Sequence, residues 1–250
     1  MTKNRKRTKA QPGPQREMFR GGQRKGAGRP RSSTRVSHDK RPNVKARLPM
    51  HVTVRIRSGL PRLRNFELAK VLRRAFIAGC DKAGFRICQF SIQTNHIHLI
   101  CEAADNAGLA RGMQGWCVRV ARGLNRELER DGSVFDDRYH VEIITMPKQM
   151  RNVYCYVLQN ARHHGIDIGN ACHGVDLYSS AWWFDGWSRD DWRTGLKPPD
   201  TPSVAPARSW LATTGWRRHK PIGVTEAPAE KRSIYRAPPE HHAGWWLELA

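Results

Sequence analysis

The sequence predicts an α+β fold: a ferredoxin-like antiparallel four-stranded sheet with helices on one face, a disordered basic N-terminal arm before it and an irregular Trp-rich C-terminal extension after it. Three observations predict this. Runs of strand length and runs of helical period follow one another in the order β-α-β-β-α-β from about residue 50 to 146, and one more helical stretch comes after. Ahead of residue 47 large apolar residues are nearly absent, and Lys and Arg crowd together against only Glu17 and Asp39. Beyond Gly165 the periodicity fades and tryptophans recur at irregular intervals between prolines. The expected segments are therefore 1–46, 47–165 and 166–250.

The elements take their places in order. Val52, Val54 and Ile56 alternate with Thr53, Arg55 and Arg57, the period of a half-buried strand, which Ser58-Gly59-Leu60-Pro61 ends. From about Glu67 to Ala83, Leu68, Val71, Leu72, Ala75, Phe76 and Cys80 fall at helical spacing, and Gly84 stands where a C-terminal cap is expected. Phe85 to Gln93 and His96 to Glu102 read as neighbouring strands joined by Thr94-Asn95. Leu109, Met113, Trp116, Val120 and Leu124 make one stripe of a long helix over about 107–131, which its several glycines weaken. Asp131-Gly132-Ser133 turns the chain into a fourth strand over Arg138–Met146, and Lys148–His164 is the last core helix, closed by Gly165. In the extension, Trp182-Trp183-Phe184-Asp185-Gly186-Trp187 and the later tryptophans either anchor an irregular tail to the core, the plainer reading, or stack on unpaired bases beside Arg189, Arg193, Arg217 and Arg218.

Formal net charge is +22 over 250 residues, which points to a polyanionic partner, nucleic acid foremost. No run of about 18 apolar residues and no signal-peptide pattern is present, so neither a membrane span nor export is expected. The six cysteines form no C-x-x-C pair and sit mostly in apolar stretches, as small buried hydrophobes do in a reducing compartment. In the arm, the run from Arg20 to Arg31 is partly similar to the Gly-Arg-Pro minor-groove hook, with Ala27-Gly28 where the hook has Arg-Gly. A plain polycation held to phosphates by counterion release is the simpler reading.

The chemistry concentrates in two stretches. On a strand, His96 and His98 project from one face while Ile97 and Leu99 project from the other. On a helix, Tyr156 and Asn160 stand four residues apart and share a face. If that helix packs over the histidine face, two imidazole nitrogens and an amide oxygen could hold Mg²⁺ or Mn²⁺ beside a phenol, a set suited to attack on a phosphodiester. Two surface histidines on one face need no ligand at all, and the His-x-His spacing alone is weak. Tyr154 lies two residues from Tyr156, on the order of 200° around the helix, with Met150, Val157 and Leu158 toward the apolar side; it is assigned to packing. A phenol titrates near about 10 in isolation, so attack by Tyr156 requires activation.

Three blocks carry a resemblance: Asn95-His96-Ile97-His98-Leu99, Gly132-Ser133-Val134-Phe135-Asp136-Asp137-Arg138-Tyr139, and Tyr156-Val157-Leu158-Gln159-Asn160-Ala161-Arg162-His163-His164-Gly165. Together they resemble the single-tyrosine HUH transposases, and within them the REP-associated tyrosine transposase branch. The resemblance covers about residues 47–165, and the basic run at 21–31 is similar to arms found there. It implies a homodimeric nuclease domain that cuts and rejoins single-stranded DNA, often beside a hairpin, in a bacterial cytoplasm and at the nucleoid. It further implies that His96, His98 and Asn160 bind Mg²⁺ or Mn²⁺, and that Tyr156 is the nucleophile of a 5′-phosphotyrosine link that leaves a free 3′-hydroxyl. Arg24, Lys25, Arg29 and Arg31 of the arm, with Arg138 and Arg162 of the matched blocks, are the expected DNA contacts. The chain departs in having Ala161 where the branch commonly has Pro, and in the length of the Trp-rich extension.

Two other classes remain in view. A non-catalytic single-stranded nucleic-acid binder can use a similar sheet, but neither central strand has the aromatic-rich face of that module. A replication or conjugation initiator would share the His and Tyr chemistry; such proteins usually carry a helicase, and no Gly-x-x-x-x-Gly-Lys loop occurs here, so no nucleotide cofactor is expected.

Overall fold

The computed structural model describes residues 42–164, 175–189, 191–194 and 199–228. Arg24, Lys25, Arg29 and Arg31, and Trp245 and Trp246, lie outside them. The elements are β1 (Met50–Arg55), α1 (Phe66–Gly79), β2 (Asp81–Lys82), β3 (Phe85–Ile92), β4 (His96–Ala103), α2 (Asn106–Glu127), β5 (His140–Ile143), α3 (Pro147–Leu158), α4 (Asn160–His163) and α5 (Trp210–Thr213). One antiparallel sheet runs in the order β2-β3-β4-β1-β5.

The sheet has five strands where the sequence predicts four. Asp81 and Lys82 pair with Arg86 and Phe85 across a tight turn in which Gly84 takes φ +73°, a left-handed conformation that glycine adopts without strain. Gly84 therefore serves the hairpin and not the end of α1, which stops at Gly79 with Cys80 as its cap. Two residues are too few for alternation to declare a strand.

α1 and α2 cover one face. Both begin at the side chain of a capping residue: Asn65 accepts from the N–H of Glu67 and Leu68, and Asp105 from that of Gly108. Leu72 and Phe76 of α1 and Met113, Trp116 and Val120 of α2 close a core over Val52, Val54, Phe90 and Leu99, with the Phe76 and Phe90 rings stacked at 3.8 Å. The glycines of α2 have a packing reason. A Cβ on Gly112 would lie 2.0 Å from Phe85, and one on Gly123 2.6 Å from Val71, so their bareness lets the helix settle against β3 and α1.

α3 lies on the opposite face, which corrects the expectation that the helices share one side. His96, His98, Ile100 and Glu102 point away from α1 and α2 because strand side chains alternate, and Ile100 joins a second core with Val153, Tyr154 and Val157 of α3. The Trp-rich extension completes this core. Trp187, Trp192 and Trp216 are 7 %, 1 % and 2 % exposed, so they anchor the segment and leave no open ring face for a base, whereas Trp210 is 48 % exposed. The segment is pinned to the sheet by a bidentate Arg64–Asp176 pair at 2.9 Å and by Glu102, whose carboxylate accepts from the N–H of Arg208 and Ser209. Among the described residues no helix is long and apolar enough to cross a membrane.

Candidate active site

The register of β1, β4 and β5 builds a polar floor on the α3 side of the sheet. Thr53 pairs with His98 on one flank and His140 on the other, and His51 pairs with Glu142. Since all of these share a parity with His96 and His98, a strip of four histidines, a threonine and a glutamate lies under α3 and α4. The strip is stitched by short contacts. His96 Nε2 and His98 Nε2 are 3.0 Å apart, His98 Nδ1 is 3.0 Å from His51 Nε2 and 3.2 Å from Thr53 Oγ1, and His140 Nε2 is 3.0 Å from Glu142 Oε1.

Over this floor stands Tyr156. Its ring meets those of His98 and His51 edge-on at centroid distances of 5.3 and 5.8 Å, and His163 at 5.8 Å. Burial pushes its hydroxyl above the ordinary phenol value; contact with the Asn160 side chain pulls partly back, and the nearby Glu142 carboxylate adds to the rise. Tyr154 points elsewhere. It is buried against Phe184 and Trp216 and donates its hydroxyl to the Ala212 carbonyl at 2.8 Å, and burial holds its ionisation far above the usual range. The helical angle thus separates the two phenols as the sequence predicts.

The helix bearing Tyr156 is not continuous to His164. α3 ends at Leu158, and Gln159, at φ −111° and ψ 17°, begins the short α4. Gln159 is fully buried and donates its amide to the carbonyls of Gly223 and Val224 at 3.1 and 2.7 Å. The break comes from this tertiary contact, which no Gly or Pro announces. Near the start of α3, Arg151 forms a two-pronged pair with Glu226 and also donates to the Lys220 and Pro221 carbonyls. Segment 220–226 is thereby fastened to α3 near both of its ends.

Past Gln159, Asn160 is fully buried, and its amide N and O meet no partner of hydrogen-bonding geometry, the Tyr156 hydroxyl included. Such an orphaned amide costs on the order of 1–3 kcal/mol unless a ligand takes it up. His164 brings its ring to 5.9 Å from that of His96, and burial with the neighbouring His163 holds its ionisation below the usual imidazole value.

The imidazole pair fits a small divalent cation. Cis ligands of an octahedral ion at about 2.1 Å sit about 3.0 Å apart, and His96 Nε2 and His98 Nε2 have that spacing, 3.0 Å. The His96 ring is set for the role, because its Nδ1 lies 2.8 Å from Asn95 Oδ1, an acceptor that puts the proton there and leaves Nε2 bare. No group of three or more His, Cys, Asp or Glu side chains gathers as in a metal centre among the described residues. The Asn160 side chain lies beside the Tyr156 hydroxyl, and the Tyr156 ring in turn meets that of His98.

Of the expected DNA contacts among the described residues, Arg162 lies half-buried on α4 beside the site. Arg138 does not. It lines a shallow apolar cleft with Val54, Met113, Cys117 and Phe135, on the α2 side of the sheet. Sequence reasoning missed His51, Thr53, His140 and Glu142. The signal available was their place on the polar side of strands whose apolar side was already evident.

Fold and site together define a class of protein: an antiparallel α+β domain built round a His-x-His strand, with a tyrosine-bearing helix laid across it. The family described as "Transposase IS200 like" matches residues 45–160, so this stretch is similar to the transposases of that family. Among solved structures the chain is similar to one described as "Structure of the REP associates tyrosine transposase bound to a REP hairpin", at 17% identity and a TM-score of 0.46, over 58% of this chain and 82% of that one. No curated protein matches the chain.

Proposed function

We propose that the protein cuts and rejoins single-stranded DNA through a phosphotyrosine formed by Tyr156, with Mg²⁺ or Mn²⁺ held by His96, His98 and Asn160. The observation that carries this reading is the edge-on contact of the Tyr156 ring with His98 at 5.3 Å, beside two imidazole nitrogens 3.0 Å apart. The Tyr156 oxygen forms the bond to phosphorus as the bond from phosphorus to the 3′-oxygen breaks, and the phenol proton ends on that oxygen. A 5′-phosphotyrosine and a free 3′-hydroxyl result, and reversal onto a new 3′-hydroxyl rejoins the strand. Bound divalent cation supplies charge that polarises the scissile phosphate and favours the phenolate. Burial of Tyr156 keeps it protonated until DNA is engaged and excludes water from the link. Arg162 contacts the phosphates beside the tyrosine, and Arg138, Arg24, Lys25, Arg29 and Arg31 add affinity elsewhere along the strand.

The resemblance of the three motif blocks supports a hairpin-bearing single strand as substrate and a homodimer as the working form. Labelled oligonucleotides from around the protein's own gene, incubated with Mn²⁺ and run on a denaturing gel, test the reading. A covalent adduct is expected for the parent and for Tyr154→Phe, and none for Tyr156→Phe or for His96→Ala/His98→Ala, which should still bind DNA in a salt-sensitive way. An adduct that survives Tyr156→Phe refutes the assignment.

A further inference from the structure

We infer that His51 is a positioning residue for the cation site, an inference that rests on the reading just given. His51 is 1 % exposed, sits on β1 at a distance of 47 residues in the chain from His98, and brings its Nε2 to 3.0 Å from His98 Nδ1. His98 can offer Nε2 to a cation only when its ring proton is on Nδ1, and that proton then needs an acceptor. His51 Nε2 stands nearer to that nitrogen than Thr53 Oγ1, which is at 3.2 Å.

The same contacts serve the site without a cation. There the His96 and His98 Nε2 atoms, 3.0 Å apart, must share a proton. Asn95 Oδ1 fixes the His96 proton on Nδ1, so the shared one belongs to His98 Nε2, and His98 Nδ1 is then bare. An imidazole on the other side can donate to that bare nitrogen or accept from it simply by changing tautomer. His51 therefore matches both forms of His98, and it holds the ring plane constant between them. Leucine could do neither; glutamine, whose amide reaches about as far as an imidazole Nε2, offers both a donor and an acceptor.

The test is Mn²⁺ binding by the full chain without DNA, read from the electron paramagnetic resonance of free Mn²⁺, with His96→Ala as the control that defines the site. His51→Leu is expected to weaken His96-dependent binding about 10–100-fold. His51→Gln should stay within about threefold of the parent, and Thr53→Val should cost less than His51→Leu. In nicking assays His51→Leu should raise the half-maximal Mn²⁺ concentration while most of the rate returns at saturation, a split that general unfolding does not give. Thermal melts of the metal-free variants identify any that fail to fold, and in that case the comparison of His51→Gln with Thr53→Val decides. Parent-like affinity in His51→Leu, or a larger loss in Thr53→Val than in either His51 variant, overturns the inference while leaving the His96–His98 site intact. Binding in the parent that His96→Ala does not change removes both the site and the role of His51.

Discussion

Replacing Glu226 by glutamine tests how firmly the Trp-rich extension holds the tyrosine helix. The Glu226 carboxylate accepts from both terminal nitrogens of Arg151 and from the Gly223 N–H at 3.0 Å, and the Arg151 and Glu226 side chains are 16 % and 31 % exposed. Arg151 holds the carboxyl below its ordinary value of 4.5. A depressed carboxyl stabilises the folded state above the unfolded value, and the contribution is lost as pH falls through the folded one. Charge-assisted bonds contribute roughly 1.5–3 kcal/mol when shielded, and solvent at the carboxylate reduces this. Glu226→Gln should therefore cost about 1–2 kcal/mol at neutral pH, a fall of about 2–6 °C in Tm for a chain of this size. The assay is thermal unfolding by circular dichroism from pH 7 to 3. The gap between parent and variant should be constant well above pH 4.5 and shrink progressively as pH falls below it, as the parent's carboxylate protonates. A gap that persists unchanged to pH 3 would refute the role assigned to the pair.

Three further substitutions follow from the packing. Gly112→Ala sets a helix gain of about 1 kcal/mol against overpacking of about 1–3 kcal/mol or more; the new Cβ would lie 2.6 Å from Phe85 Cβ, which cannot swing away, so a net loss is expected in urea unfolding. Gly115→Ala has the opposite sign, a gain of about 0.5–1 kcal/mol in the same measurement, because its nearest neighbour is the far end of the exposed Arg119 side chain at 3.2 Å, held by a surface hydrogen bond to the Gly115 carbonyl that can readjust. Tyr154→Phe should lose about 1–2 kcal/mol by leaving the buried Ala212 carbonyl without its donor, with adduct yield kept at the parent level.

The parts of the site legible in the sequence are those whose spacing is local. His96 and His98 occupy one parity of a strand, and the two tyrosines differ by a fixed helical angle, so two-residue steps separate the phenol over the floor from the one in the core. His51 and Glu142 were hidden because only the register of β1 against β4 and β5 brings His51 to His98 and Glu142 beside His51, and nothing within either segment encodes that register. The same holds for the extension. Its tryptophans declared themselves as anchors by composition, yet the contacts that make them so, Gln159 on Gly223 and Val224 and Arg151 on Glu226, join positions 64 to 75 apart. The missed strand β2 and the break at Gln159 are short features that tertiary contacts impose over local preference.

The central claim is that the hydroxyl of Tyr156, and no other nucleophile, takes the DNA phosphate. Protein incubated with a cleavable single strand and Mn²⁺, digested with nuclease and protease and sequenced by tandem mass spectrometry, reports the modified residue directly. The account predicts a nucleotide linked through its 5′-phosphate to residue 156. The same mass on residue 154, on a serine, or on none of the recovered peptides from a nicking-competent sample would contradict it.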